Sequence, residues 1–142
     1  MPEPRTRRFD ELAIGDTAEF EVAVSPDLVD TFALLSGDHN PLHTDDAYGA
    51  TTRFGGRIPH GMIAGALFSR LIGMELPGRF ATYLSQTLSF RRPFSLSGTV
   101  VVRGEIIHIS SGTRTITLRT EVVQKEDRLC LVDGEALVHL IQ

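Results

Sequence analysis

The segment Asp38-His39-Asn40-Pro41-Leu42-His43 places a carboxylate and an imidazole five positions apart in one stretch dense in turn formers. The preceding Gly37 tolerates positive φ, and Pro41 biases Asn40 away from the helical region, so the chain turns sharply here. The side chains of Asp38 and His43 can then converge on one water molecule. Such a pair does general acid–base work, one group taking a proton from water while another delivers one to a substrate atom. The competing reading is two solvated turn residues, because Asp and His are common in loops for reasons unrelated to catalysis.

A second candidate lies in Pro59-His60-Gly61-Met62, ahead of an apolar run. A glycine at a helix start offers a backbone N–H unobstructed by any side chain, and the helix dipole adds positive potential for an anionic oxygen. An ordinary helix start that needs a small residue is the plainer reading of Gly61, and His60 is open to a structural or a functional role. Arg91-Arg92-Pro93 carries two adjacent guanidinium groups suited to charge-assisted hydrogen bonds with phosphates, or else forms a solvated strand end. His39, His108 and His139 have no carboxylate at suggestive spacing. Cys130, among Leu129, Leu131 and Val132, reads as a small buried hydrophobe rather than a nucleophile.

These residues must be positioned by the elements around them. Residues 1–11, rich in Pro and Arg, read as a loosely docked lead, after which Gly15-Asp16 turns into a strand with alternating Ala18, Phe20, Val22 and Val24. Ser25-Pro26-Asp27 supplies an N-cap hydroxyl, a first-turn proline and an acid at the positive helix end, which predicts a helix to about Leu35. A short helix is expected near 45–50, and a second, largely apolar one from about His60-Gly61, with Ala64, Gly65 and Gly73 allowing close backbone approach. From Ala81 the period changes to two, giving strands near 81–91, 98–110, 113–125 and 128–140. One strand, helices, then four strands is the α+β pattern of an antiparallel sheet with its helices gathered on one face.

Bulk properties narrow the function classes. At 142 residues the chain can bury one real core, so a single domain spanning 1–142 is expected. A net charge of -4 and no basic run interleaved with aromatics argue against a nucleic-acid partner. The longest apolar stretch, Met62 to Leu76, contains Arg70 and Glu75 and is shorter than the ~20 residues of a membrane span, so no membrane partner is expected. The charged N-terminal segment lacks the apolar run of a secretory signal, and a single cysteine excludes an internal disulfide. Both fit a reducing cytoplasm. No Cys/His cluster with zinc spacing occurs, so no metal is expected.

Taken together, Phe32-Ala33-Leu34-Leu35-Ser36-Gly37-Asp38-His39-Asn40-Pro41-Leu42-His43 and Ile58-Pro59-His60-Gly61-Met62 resemble the (R)-specific enoyl-CoA hydratases of the MaoC-like dehydratase family. The resemblance extends from the Ile14-Gly15-Asp16 turn through Leu67-Phe68-Ser69 to Leu88-Ser89-Phe90 and Gly134-Glu135-Ala136. It implies a hot-dog fold, with an antiparallel sheet wrapped around a central helix and the Asp38–His43 loop overhanging an acyl-binding tunnel. It implies the reversible hydration of a trans-2-enoyl-CoA to the (R)-3-hydroxyacyl-CoA, a reaction needing a base, a proton donor and hydrogen bonds to the thioester oxygen. On the matching positions, Asp38 and His43 are the catalytic pair, Gly61 the thioester-oxygen donor, Asn40 a loop-fixing residue and Ser69 a serine near the site. Ser69 reads equally as a hydroxyl satisfied by its own helix. Arg91 and Arg92 become candidates for coenzyme A phosphates, Ile72 and Leu137 for the tunnel end. Coenzyme A belongs to the substrate and no further cofactor is implied, while a homodimer is. Dehydration of (R)-3-hydroxyacyl groups on acyl carrier protein, thioester hydrolysis and non-catalytic acyl-thioester binding remain as alternatives.

Overall fold

The computed structural model describes residues 1–142. A strand, β1 (Thr17–Ala23), leads into helix α1 (Pro26–Ser36). Ser25 Oγ accepts the Leu28 N–H at 3.2 Å and Pro26 occupies the first turn, as the sequence predicts. Gly37 ends α1 in the left-handed region at φ 77°, its N–H returning to the Ala33 carbonyl. Two short helices follow, α2 (Pro41–Thr44) and α3 (Asp46–Ala50), the first lying inside the stretch expected to be loop only. Asn40 explains the difference, because its Oδ1 caps the Leu42 N–H at 3.0 Å and Pro41 is preorganised for a first turn.

The central helix α4 (Ile63–Arg70) starts later than expected, with residues 60–62 forming the turn that leads into it, and then widens into a π-helical turn at Leu71–Glu75. Ile63, Ala64, Leu67 and Phe68 are all buried, and they pack with Val102, Val122 and Val132 from the sheet. The remaining strands are β2 (Ala81–Gln86), β3 (Ser89–Phe90), β4 (Thr99–Ser110), β5 (Thr115–Gln124) and β6 (Cys130–Leu140). They form one antiparallel sheet in the order β1-β4-β5-β6-β2, with β3 also paired to β6. Alternate residues Ile116, Leu118, Thr120 and Val122 of β5 are buried against the helix side, the period-two pattern of the sequence. A sheet curled around one helix is the hot-dog arrangement.

Two departures from the expected elements have local causes. The strand expected at 81–91 is broken between β2 and β3, where Thr87 crosses Gly134 of β6. A Cβ on Gly134 would lie 1.9 Å from the Thr87 carbonyl oxygen, so the crossing requires glycine. Thr87 Oγ1 then accepts the Glu135 N–H at 2.9 Å and the Thr87 N–H returns to the Glu135 carbonyl. The lead is not loosely docked. Arg5 N–H donates to the Met74 carbonyl, Arg79 N–H donates to the Arg5 carbonyl, and Thr6 bridges Gly78. This pairing depends on Gly78 at φ 91°, where any Cβ would strike the Arg5 carbonyl, and composition gives no hint of it.

A polar chain lies among these apolar layers. The Tyr83 hydroxyl donates to Gln86 Oε1, Gln86 Nε2 donates to Thr120 Oγ1 at 2.9 Å, and Thr120 donates to the Gly134 carbonyl at 3.1 Å. Burial pushes the Tyr83 phenol up to about 12, so it remains a proton donor at ordinary pH.

Gly134→Ala is expected to lower stability by about 1–3 kcal/mol, the usual cost of overpacking against atoms that cannot yield. Urea unfolding checks this, with a lower midpoint and an unchanged slope as the expected result.

Candidate active site

The site is built where the turn after α1 meets the turn before α4. Asp38 sits just past the α1 C-cap, its N–H bonded to Ser36 Oγ at 3.1 Å and its Oδ1 accepting the Asn40 N–H at 3.2 Å. His43 lies on α2. Its Nδ1 is 2.7 Å from the Ile58 carbonyl oxygen, an atom that can only accept, so Nδ1 carries the ring proton and Nε2 is left as a free lone pair. Ile58 N–H in turn donates to the Leu42 carbonyl at 3.1 Å, locking the two segments together.

His60, left open by the sequence, completes a cluster. It is 2% exposed, its ring stacks on His43 with centroids 4.0 Å apart, and Phe32 packs on it at 4.8 Å. One polar atom from each of Asp38, His43 and His60 lies within 4.8 Å of the others. That geometry invites comparison with a metal centre, but two of its nitrogens are already in use. His43 Nδ1 and His60 Nε2, the latter 2.9 Å from the Asp38 carbonyl, are committed as donors to backbone oxygens. His43 Nε2 and the Asp38 carboxylate remain uncommitted beside the clefts, and His60 Nδ1 is buried without a partner.

Two adjoining clefts open onto this cluster and share His43, Gly61 and Phe90. One, about 330 Å³, is lined by Asp38, His43, His60, Gly61, Met62 and Phe90. The other, about 240 Å³, runs from His43 and Pro59 past Arg91 and Arg92 to Phe94. Gly61 faces both, its N–H makes no hydrogen bond within the chain, and a Cβ there would come within 2.9 Å of the Phe90 ring. A larger groove of about 650 Å³, along Ser95–Thr99 and Gln124–Glu126, is polar and holds no acid/base pair, its Lys125 being tied to Glu21 at 3.0 Å.

The remaining expected site residues fall out differently. Asn40 fixes the loop through the two bonds described. Arg91 is held by Asp133, with Nη2–Oδ1 at 3.2 Å, whereas Arg92 has no side-chain partner. Ser69 lies on the exposed side of α4, about two turns beyond Gly61; its hydroxyl makes no hydrogen bond and the residue lines neither cleft. Its hydroxyl is therefore neither bonded to its own helix nor beside Asp38 and His43 within one chain. Ile72 is 1% exposed in the core, while strand alternation puts Leu137 on the face of β6 opposite Ala136 and Val138, so these two do not meet as one tunnel wall. Cys130 is half-buried rather than buried, and burial together with the nearby Asp133 and Glu121 carboxylates raises its thiol pKa, which opposes nucleophilic use.

The MaoC-like domain pattern matches residues 10–128. The chain belongs to the MaoC-like family. This MaoC-like chain is 36% identical over 138 residues to a 3-hydroxybutyryl-CoA dehydratase of Methylorubrum extorquens, spanning 97% of the chain and 87% of that protein. It is 39% identical over 129 residues to an (R)-specific enoyl-CoA hydratase of Aeromonas caviae, covering 91% of the chain and 96% of that protein. Among solved structures, the unliganded R-hydratase of Pseudomonas aeruginosa superposes with a TM-score of 0.89 at 39% identity, covering 93% of this chain and 84% of that one. No helix of the MaoC-like chain is long and apolar enough to cross a membrane.

Sequence reasoning missed Arg57, which braces the cluster from behind. Its side chain is 10% exposed, and Nη1 donates to Asp30 Oδ1 at 3.0 Å and to the His43 carbonyl at 3.2 Å. Nε lies 3.1 Å from Asp46 without hydrogen-bond alignment. Nothing in the local sequence connects residue 57 with residues 30, 43 and 46, so only the tertiary structure reveals the brace. Arg57→Ala should cost about 1–3 kcal/mol, the range for losing a charged hydrogen bond and stranding its partners. Equilibrium denaturation measures the loss, and an unaltered midpoint would show that the brace contributes nothing.

Proposed function

We propose that this chain hydrates trans-2-enoyl-CoA reversibly to (R)-3-hydroxyacyl-CoA, a hydro-lyase reaction using Asp38 and His43 as its acid/base pair and no metal or separate cofactor. The carrying observation is the His43 Nδ1 bond to the Ile58 carbonyl, which leaves Nε2 unprotonated beside the Asp38 carboxylate at the cleft. The names and identities of the relatives support the reaction class.

In this mechanism a water held between the Asp38 carboxylate and His43 Nε2 attacks C3 of the enoyl group as its proton passes to the pair. The π electrons shift onto the thioester oxygen, giving an enolate that the free Gly61 N–H stabilises, because preorganised donors act most strongly where charge develops. The pair then returns a proton to C2 on the same face. Syn addition and a single enantiomer follow from water and proton sharing one side of the substrate plane.

The second cleft runs towards Arg92, which suits the coenzyme A phosphates better than Arg91, already paired with Asp133. We further infer a cytoplasmic homodimer. The outer edge of β2 has no strand beside it, and Leu84 and Phe90 are 54% and 53% exposed, features that a second copy would cover. A partner chain is also what could bring Ser69 to the site.

Ultraviolet monitoring of crotonyl-CoA tests the reaction: the conjugated thioester absorbance should fall, and the product should be the (R)-alcohol, syn-labelled in deuterium oxide. An (S)-product, or release of free thiol, would overturn the assignment, and parallel assays with carrier-protein substrates identify the carrier. Asp38→Asn and His43→Gln should each lower kcat at least about 100-fold in folded protein. The double variant should lose much less than the product of the single losses, since the two groups act as a unit. Arg92→Ala should raise KM for CoA esters far more than for pantetheine esters, with Arg91→Ala weaker; equal effects on both esters would return Arg92 to the solvated surface. Light scattering coupled to size exclusion should give twice the chain mass at micromolar concentration, and an active monomer would refute the dimer.

A further inference from the structure

Four features of His60 go beyond what hydration requires of the Asp38–His43 pair. It is 2% exposed, although a buried histidine between an apolar helix and a loop must be justified by its partners. Its Nε2 donates to the backbone carbonyl of Asp38 at 2.9 Å, and that nitrogen lies 3.9 Å from the Asp38 Oδ2 atom. Its ring lies against the His43 ring at 4.0 Å with 29° between planes, while Phe32 supports it at 4.8 Å. The other nitrogen, Nδ1, is buried without a partner. Because a carbonyl only accepts, the proton sits on Nε2, and His60 touches one member of the pair through a bond and the other through a face.

We propose that His60 is a positioning residue for the reaction proposed above: its Nε2–H fixes the Asp38 backbone and its ring face fixes the plane of the His43 imidazole, holding both groups on one water. This rests on the hydratase reading of the site. The physical reason for such a device is that Asp38 is half exposed and, the His60 contact aside, its own bonds reach only Ser36 and Asn40. Small misplacements of reacting groups are costly, about 100-fold in rate for about 1 Å. His60 is itself anchored one residue before Gly61, so one rigid turn sets the acid/base pair and the thioester-oxygen donor relative to each other.

Two substitutions separate its two contacts. His60→Phe keeps a flat ring against His43 but loses the donor to Asp38; His60→Gln keeps a donor but loses the stacking face. Each should lower kcat by about 10-fold or more with KM changed by less than about 3-fold, the signature of an effect on the reacting geometry rather than on binding. The losses should be selective. His60→Phe should cost little once Asp38 is already Asn, and His60→Gln should cost little once His43 is already Gln. Equal losses in wild-type and pre-disabled backgrounds, a rise in KM alone, or full activity in both variants would overturn the proposal. A readout independent of turnover comes from imidazole ¹H–¹⁵N correlation spectra of the wild-type chain, which should show the Nε2–H form of His60 and the Nδ1–H form of His43. The opposite form at His60 sinks the proposal even if a variant fails to fold. Wild-type protein that shows these forms but does not hydrate crotonyl-CoA would instead sink the hydratase reading.

Discussion

Burial of α4 inside the curl of the sheet is the constraint on which the remaining structure depends. Ile63, Ala64, Leu67 and Phe68 form an apolar face that must be covered, and each large side chain among them gains about 1.5–3 kcal/mol by leaving water. The sheet accommodates the helix by omitting side chains at the closest approach: a Cβ on Gly104 of β4 would lie 2.8 Å from Leu71. Once α4 is seated, the turn at residues 60–62 has one place to be, and the Asp38–His43 loop is assembled against it.

That assembly uses backbone carbonyls rather than side-chain pairs. Ile58 oxygen receives His43, Asp38 oxygen receives His60, and Leu42 oxygen receives the Ile58 N–H, so residues 38–43 and 58–60 are stitched across three bonds. Backbone acceptors do not titrate, and they leave Asp38 Oδ2 and His43 Nε2 without a hydrogen-bond partner in the chain. The two imidazole tautomers are therefore a consequence of the fold. The same geometry that positions the pair also removes two nitrogens from service as metal ligands.

The arginines stand outside the Asp38–His43–His60 cluster. Arg57 is nearly buried behind the loop and braces three helices through Asp30, Asp46 and the His43 carbonyl, whereas Arg92 stands unpaired along the neighbouring cleft. One cation holds the scaffold and another is available to an anionic ligand. Arg91 resembles Arg92 in sequence and differs only in having Asp133 across the sheet.

The sequence by itself determined the elements whose signals are local. Ser25-Pro26 and Gly37 bracket α1, period-two alternation marks the strands, and the Asp38-to-His43 spacing with Gly61 offers a candidate site, because capping, pleat and turn preferences act within a few residues. The resemblance extended that reading to the fold and the reaction class. Only the tertiary structure decided which candidates meet. It brought His60 under His43, separated Arg91 from Arg92, left Ser69 exposed, and tied the proline-rich lead to Gly78. Each of these depends on a contact between residues distant in sequence, or on the absence of a side chain at Gly78 or Gly134, and no local preference encodes where another backbone will cross.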